Sequence, residues 1–293
     1  MITVIGEALI NLVLGSGGNT LRALPAGSAL LTAVRAARLG YPTVLMARLS
    51  ADDFGQILRS YAVRNGVDVS LAPEADEATM IAVSSRRDGR DQGADDGNLY
   101  FHGTGIWQWS AEELRLVPAA TTVLYLGSLA GCLPPNATRM LRAVARQRSR
   151  GGAVCVNLST RPEIVGSPGR GRILLDRLIR SADVVRASIE DIAWLYPGRA
   201  PDTVAQQWLE LGPKLAVITC AADGVMAVHR SGAVIHRPVH EAPADDAFTA
   251  GLLGGLHQLA EFGQDLDTIS ATEIATLIEG AIKAESGHSL TPC

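Results

Sequence analysis

The chain has 293 residues, 47% hydrophobic and 19% charged, with a net charge of −4. That is enough apolar sequence for one large core, and the acidic balance argues against a nucleic-acid or anionic-membrane partner. No apolar run is long enough to span a bilayer, and Met1 to Leu14, interrupted by Glu7 and Asn11 and lacking a basic leader, does not read as a signal peptide.

Ile2 to Gly6 is a short buried strand that Glu7 to Val13 continues to an edge. Gly15 to Asn19 is a turn, because its glycines do not match a phosphate-binding pattern followed by Lys and then Ser or Thr. Ala29 to Leu39 has helical spacing and stops at Gly40. Thr43 to Ala47 is a strand, and Asp53 to Asn65 a helix. Ala78 to Ser85 and Asn98 to His102 read as two strands of a hairpin whose charged tip spans 86–97. A hairpin set into such a chain can form a lid that excludes water.

From Val123 onward strands and helices alternate. The strands are Val123 to Leu126, Ala153 to Asn157, Asp183 to Ala187 and Leu215 to Thr219. The helices are Asn136 to Arg148, Gly169 to Arg180, Ile189 to Tyr196 and Pro201 to Leu211. Gly224 to His229 and Ala233 to Arg237 then form a hairpin. This alternation predicts an α/β fold with a mainly parallel central sheet covered on both faces. Ligands of such sheets sit beyond the carboxyl ends of the strands, where Asn11, Gly127-Ser128, Asn157 to Arg161, Ser188 to Asp191 and Thr219-Cys220 fall.

Pro243-Ala244-Asp245-Asp246 opens an apolar helix rich in Ala and Gly. Asp245 or Asp246 can cap its free N–H groups. A helix start also suits a phosphate, and a carboxylate there can accept a proton from a hydroxyl. Cys132, Cys155, Cys220 and Cys293 have no metal-ligand spacing and read as reduced thiols of a cytoplasmic protein. His236, His240, Glu241, Asp245 and Asp246 could gather round a divalent metal, although their spacing matches no standard site. Trp107 and Trp109 could stack on a ligand, but packing of a lid against the main domain is the simpler role.

Six segments fall in a telling order and spacing: Gly6-Glu7-Ala8-Leu9-Ile10, Arg38-Leu39-Gly40, 103–109, Arg161-Pro162, Ala193 to Gly198 and Asp246-Ala247-Phe248-Thr249-Ala250-Gly251. In that register the chain resembles the ribokinase/PfkB family of carbohydrate kinases, most of all its fructokinase branch. The resemblance implies a single ribokinase-like domain over 1–293, with a small β lid from about 11–25 and 78–105. It implies phosphoryl transfer from ATP, with Mg²⁺, to a hydroxyl of a small fructose-like sugar. Asp246 would be the base, and Ala244 and Asp245 the anion hole. Asn11, Gly27, Leu31 and Arg161 would lie on the sugar side, and Ser188, Asp191, Thr219, Ala221 and Gly224 on the nucleotide side. Asp191 would belong to the motif linked to Mg²⁺. Some members of the family also dimerise through the lid.

The departures from the family pattern fall on site positions. Pro243 and Asp245 replace two glycines, and Pro243 has no backbone N–H. A carboxylate at 245 facing a phosphate about 4 Å away would cost roughly 4 kcal/mol at an effective dielectric near 20. Asn11 and Asn157 each stand for an aspartate, Leu31 for an asparagine, Ala221 for a glycine and His240 for an aspartate. These changes support an alternative, a pseudokinase that binds a sugar or nucleotide without efficient transfer.

Overall fold

Seven strands of this chain are nearly continuous apolar runs rather than alternating ones, the pattern of a strand covered on both faces. They are β1 (Ile2–Ile5), β4 (Thr43–Met46), β10 (Val123–Gly127), β11 (Ala153–Asn157), β12 (Val184–Ser188), β13 (Leu215–Thr219) and β14 (Val225–His229). The computed structural model describes residues 1–15, 20–87, 90–91, 98–105, 108–127, 136–158, 160–239 and 244–284. It places these strands, with β15 (Val234–Arg237), in one sheet of order β15-β14-β13-β12-β11-β10-β1-β4. β4 through β13 are parallel, and β14 and β15 add an antiparallel edge.

Alternate residues along the strands feed two cores. On one face Val4, Tyr125, Cys155 and Val217 meet α1 (Ser28–Arg38), α9 (Asp245–Glu261) and α10 (Ala271–Lys283) through Leu30, Val34, Phe248, Leu252 and Ile278. On the other face Ile5, Leu124, Val156 and Val185 meet α4 (Asn136–Ser149), α6 (Pro168–Ser181) and α8 (Pro201–Leu211) through Met140, Leu178 and Trp208. Trp109 is fully buried in this second core, beneath the central sheet rather than between the lid and the main domain as expected; Trp107 lies outside the described residues.

The expected continuation of β1 into the next strand is corrected. The chain turns out of the central sheet at Gly6–Ala8, and β2 (Leu9–Leu14) joins a separate small sheet. A Cβ at Gly6 would overlap Ala29, so the turn brings the backbone hard against the start of α1. In the small sheet β2 pairs with β3 (Leu21–Ala26) and with β7 (Met80–Arg87), which in turn pairs with β8 (Arg90–Asp91) and β9 (Asn98–Tyr100). The antiparallel β7–β9 pair is the hairpin read from the sequence. Most of its expected tip, 88–89 and 92–97, lies outside the described residues. Two further strands, β5 (Leu49–Ser50) and β6 (Glu74–Ala75), form a short parallel pair.

α2 (Asp53–Arg64) starts where Asp52 accepts from the N–H of Gly55. α3 (Ala111–Arg115), α5 (Pro162–Val165) and α10 were not anticipated. α7 (Ile189–Leu195) closes the set. No helix among the described residues is long and apolar enough to cross a membrane. Cys155 and Cys220 are free thiols; Cys132 and Cys293 lie outside the described residues.

Candidate active site

The carboxyl ends of β11, β12 and β13 converge under the first turn of α9. The N-cap of that helix is Ala244, which makes no side-chain cap, and Asp245 and Asp246 are its first two residues. The expectation that one of these aspartates caps the helix is therefore corrected. Both side chains leave the helix axis for arginines on other elements.

Asp245 pairs with Arg186 of β12. The Arg186 side chain is 2% exposed, while Asp245 is half-exposed. One Nη of Arg186 donates to Asn157 Oδ1 at 3.2 Å and the other to Thr219 Oγ1 at 3.0 Å. The guanidinium lies 5.9 Å from the centroid of the Phe248 ring, and its Nε–H has no hydrogen-bond partner among the described residues. Burial lowers the Arg186 pKa, but the charge and hydrogen bond of Asp245, with smaller contributions from its neighbours including Asp191, together outweigh it and hold the group above its usual range. The neighbouring Tyr125 hydroxyl and Cys155 thiol are pushed up by burial, Cys155 to about 12, so neither supplies negative charge at neutral pH. Asp245 is thus the chief counter-charge of a buried cation. The repulsive carboxylate expected at this position is instead neutralised.

Asp246 meets Arg35 of α1, whose Nε donates to Asp246 Oδ2 at 2.6 Å. Both side chains are mostly buried, 16% and 15% exposed. Sequence reading passed over both arginines. Arg186 carried a visible signal, a charge in the middle of Val-Val-Arg-Ala-Ser, where a doubly covered strand requires a partner. Arg35 carried none beyond its helical spacing from Leu31.

The other predicted residues are placed as follows. Asn11 is buried on β2, where its Oδ1 accepts from Ser84 Oγ at 3.0 Å. Gly27 is the N-cap of α1 with φ 105°, and a Cβ there would lie 2.7 Å from the Glu7 carbonyl oxygen, so only glycine fits. Leu31 follows one turn later, half-buried. Arg161 is buried at the N-cap of α5, 3.8 Å from Glu163.

Ser188 and Asp191 form a capping box at the start of α7. Asp191 Oδ2 accepts from Ser188 N and Oγ, both at 2.9 Å, and Oδ1 from Thr160 N and Oγ1 at 2.6 and 2.7 Å. Those four donors suit a capping carboxylate, and a cation there would have to compete with all of them. Among the described residues no group of three or more His, Cys, Asp or Glu could hold a metal ion. His240, Glu241 and Pro243 lie outside the described residues, and His236 is exposed on β15. The described residues therefore do not form a protein cage for Mg²⁺, an ion that phosphates and water usually hold in large part.

On the far side of β12, Thr219 ends β13, and Ala221 opens an exposed 3₁₀ turn with φ 48°. Left-handed backbone costs a non-glycine residue roughly 1–2 kcal/mol. The turn therefore keeps the conformation of a glycine although alanine occupies it. Gly224, φ 94°, closes the turn against the Arg237 carbonyl, where a Cβ would collide.

Comparison with known proteins adds a lineage to this geometry. The pfkB family of carbohydrate kinases matches residues 1–272. A fructokinase of Klebsiella pneumoniae is 28% identical, with 97% of this chain and 95% of that protein covered. The fructokinase of Xylella fastidiosa with bound ATP superposes with a TM-score of 0.82 at 22% identity, covering 97% of this chain and 90% of the other. Aminoimidazole riboside kinase of Salmonella enterica, solved with aminoimidazole riboside and an ATP analogue, gives 0.81 at 23% identity over 97% and 91%. Both structures share the ribokinase-like α/β fold expected from the sequence.

Proposed function

This chain belongs to the pfkB family of carbohydrate kinases, and from that premise we propose that it transfers the γ-phosphoryl group of ATP to a hydroxyl of a small, fructose-like sugar. The observation that carries this reading is the head of α9. Asp246 stands at its second residue with one carboxylate oxygen engaged by Arg35, and its other oxygen accepts no hydrogen bond among the described residues.

Bound ATP supplies the phosphoryl group and a leaving group, ADP, which departs with the electron pair of the broken P–O bond. Asp246 takes the proton of the acceptor hydroxyl as that oxygen forms the new bond to phosphorus. Backbone N–H groups at Ala244 and Asp245 line the phosphoryl position at the positive end of α9. Asn11 and Arg161 give polar contacts to the acceptor, Gly27 lets the backbone approach, and Leu31 adds an apolar wall. Ser188, Asp191, Thr219, Ala221 and Gly224 shape the nucleotide side. Residues 1–293 act as one domain, in which the small sheet, with segments near 11–25 and 78–105, closes over the acceptor and excludes water.

A coupled ADP-release assay over fructose, ribose, 2-keto-3-deoxygluconate and aminoimidazole riboside tests the reading. Turnover with at least one acceptor is expected, falling about 10²- to 10⁴-fold in Asp246→Asn, the usual range for loss of a general base. No transfer above the Asp246→Asn background would sink it.

The Asp245–Arg186 pair favours a second reading, a protein that binds nucleotide or sugar without efficient transfer, because the Asp245 side chain, though neutralised, occupies the head of α9 where the family pattern has a bare glycine. Calorimetric binding of Mg·ATP or fructose without turnover would select that reading.

A further inference from the structure

Each of the two aspartates at the head of α9 has its own arginine, and the two arginines come from different parts of the fold. Arg186 rises from the central sheet and takes Asp245. Arg35 comes from α1 and takes Asp246. Because Asp245 is already neutralised, Arg35 need not divide its charge between the two carboxylates. The Arg35–Asp246 contact is narrow: Nε–H donates to Oδ2 at 2.6 Å, and Oδ1 accepts no hydrogen bond among the described residues. No side-chain cap fixes the first turn of α9. The orientation of Asp246 is therefore set from outside its own helix, by the packing of α1 against α9. Arg35 lies one turn beyond Leu31, on the same face of α1, so one helix face carries both the wall assigned to the acceptor and the group that holds the carboxylate.

We propose that Arg35 is the positioning residue for Asp246: it holds Oδ2 and leaves Oδ1 to accept the proton of the acceptor hydroxyl. This inference rests on Asp246 being the base. Arg35 itself touches neither acceptor nor nucleotide, and it acts by limiting the carboxylate to one orientation. A catalytic group displaced by about 1 Å can lose roughly 100-fold in rate, and a carboxylate at a helix start without its arginine has several rotamers open to it.

Steady-state kinetics of Arg35→Ala, Arg35→Lys and Asp246→Asn, each with a thermal melt, test the proposal. In Arg35→Ala, kcat should fall about 10- to 100-fold while the KM for ATP stays within about twofold, since uniform binding is untouched. Lysine should restore part of the loss, because it returns the charge without the planar fork. Millimolar guanidinium should raise kcat in Arg35→Ala and leave Asp246→Asn unchanged, a response that a purely structural arginine would not give. Unchanged or increased kcat in Arg35→Ala, or no rescue by guanidinium, overturns the proposal. If Arg35→Ala melts below the assay temperature, Arg35→Lys decides: wild-type kcat there overturns it, and a lowered kcat at unchanged KM for ATP upholds it. Inactive Asp246→Asn beside fully active Arg35→Ala removes the positioning role alone. Active Asp246→Asn removes the base, and the inference with it.

Discussion

A guanidinium buried in the middle of β12 needs a permanent counter-charge, and Asp245 reaches back from α9 to provide it. Sequence alone gives Asp245 the opposite meaning, a negative charge intruding where phosphate should approach, because nothing local shows that Arg186 lies beneath it. Restoring glycine at 245 would then seem a repair. The structure predicts a different result: Asp245→Gly leaves Arg186 with the neutral partners Asn157 and Thr219 alone. Breaking a fully buried pair costs about 3–5 kcal/mol. Asp245 is half-exposed and its side is partly screened, so a loss of about 2–3 kcal/mol is expected here. Urea unfolding measures it. Adding Arg186→Met to the same chain should recover most of the loss, since an apolar residue of similar volume needs no counter-ion. An Asp245→Gly chain as stable as wild type would show that Arg186 does not depend on Asp245.

Among the secondary elements, those whose ends and periodicity agree were readable. The helix predicted at Pro201 to Leu211 matches the observed one, because proline opens it and Gly212 ends it. α10 went unread although Ser270 and Glu273 spell a capping box before an apolar run. The Ser110–Glu113 box before α3 was missed in the same way. α2 shows how a cap can also carry tertiary structure. Asp52 accepts from Gly55 N at 2.7 Å, and from Thr79 N and Oγ1, beside β7, at 2.9 and 2.7 Å, so one carboxylate ties the helix start to the small sheet. Burial raises the pKa of Asp52, but these donors together with the Ser50 hydroxyl outweigh it and the net shift is downward. A carboxylate with a depressed folded-state pKa stabilises above its unfolded value, near 3.9, and that contribution is lost as pH falls through the folded value. Asp52→Asn should therefore cost about 1 kcal/mol at pH 7, the difference between charged and neutral acceptors. The gap to wild type should close below about pH 4. Chemical denaturation at pH 7 and pH 3 checks this, and a gap equal at both pH values would assign the tie to shape rather than charge.

At the scale of the whole molecule, the central sheet was legible because its strands are buried on both faces and announce themselves by composition. The exit of the chain into the small sheet at Gly6–Ala8 was not, because Leu9–Leu14 is as apolar as the strand before it and only a contact with α1 marks the break. The site was half legible for a related reason: its carboxylates lie on one short motif, whereas their arginines come from α1 and β12, far away in sequence. Its geometry thus depends on how α9 is seated, and α10 sets part of that seat. A Cβ on Gly251 would fall 2.7 Å from Ala284 Cβ and 2.8 Å from Ala281 Cα, so the two helices meet there with no room for a side chain. Valine at 251 must push α9 and α10 apart or shift α9 along the sheet, at a cost of about 1–3 kcal/mol for overpacking. Five residues separate this contact from Asp246, about 7.5 Å along the helix, and the core between them is too dense to absorb the shift locally. Gly251→Val should therefore lower the melting temperature and kcat together. Arg35→Ala, by contrast, should lower kcat with the larger part of the melting temperature kept. A Gly251→Val chain that melts lower yet keeps wild-type kcat would show that the head of α9 is held by Arg35 and Arg186 alone, independently of the packing behind it.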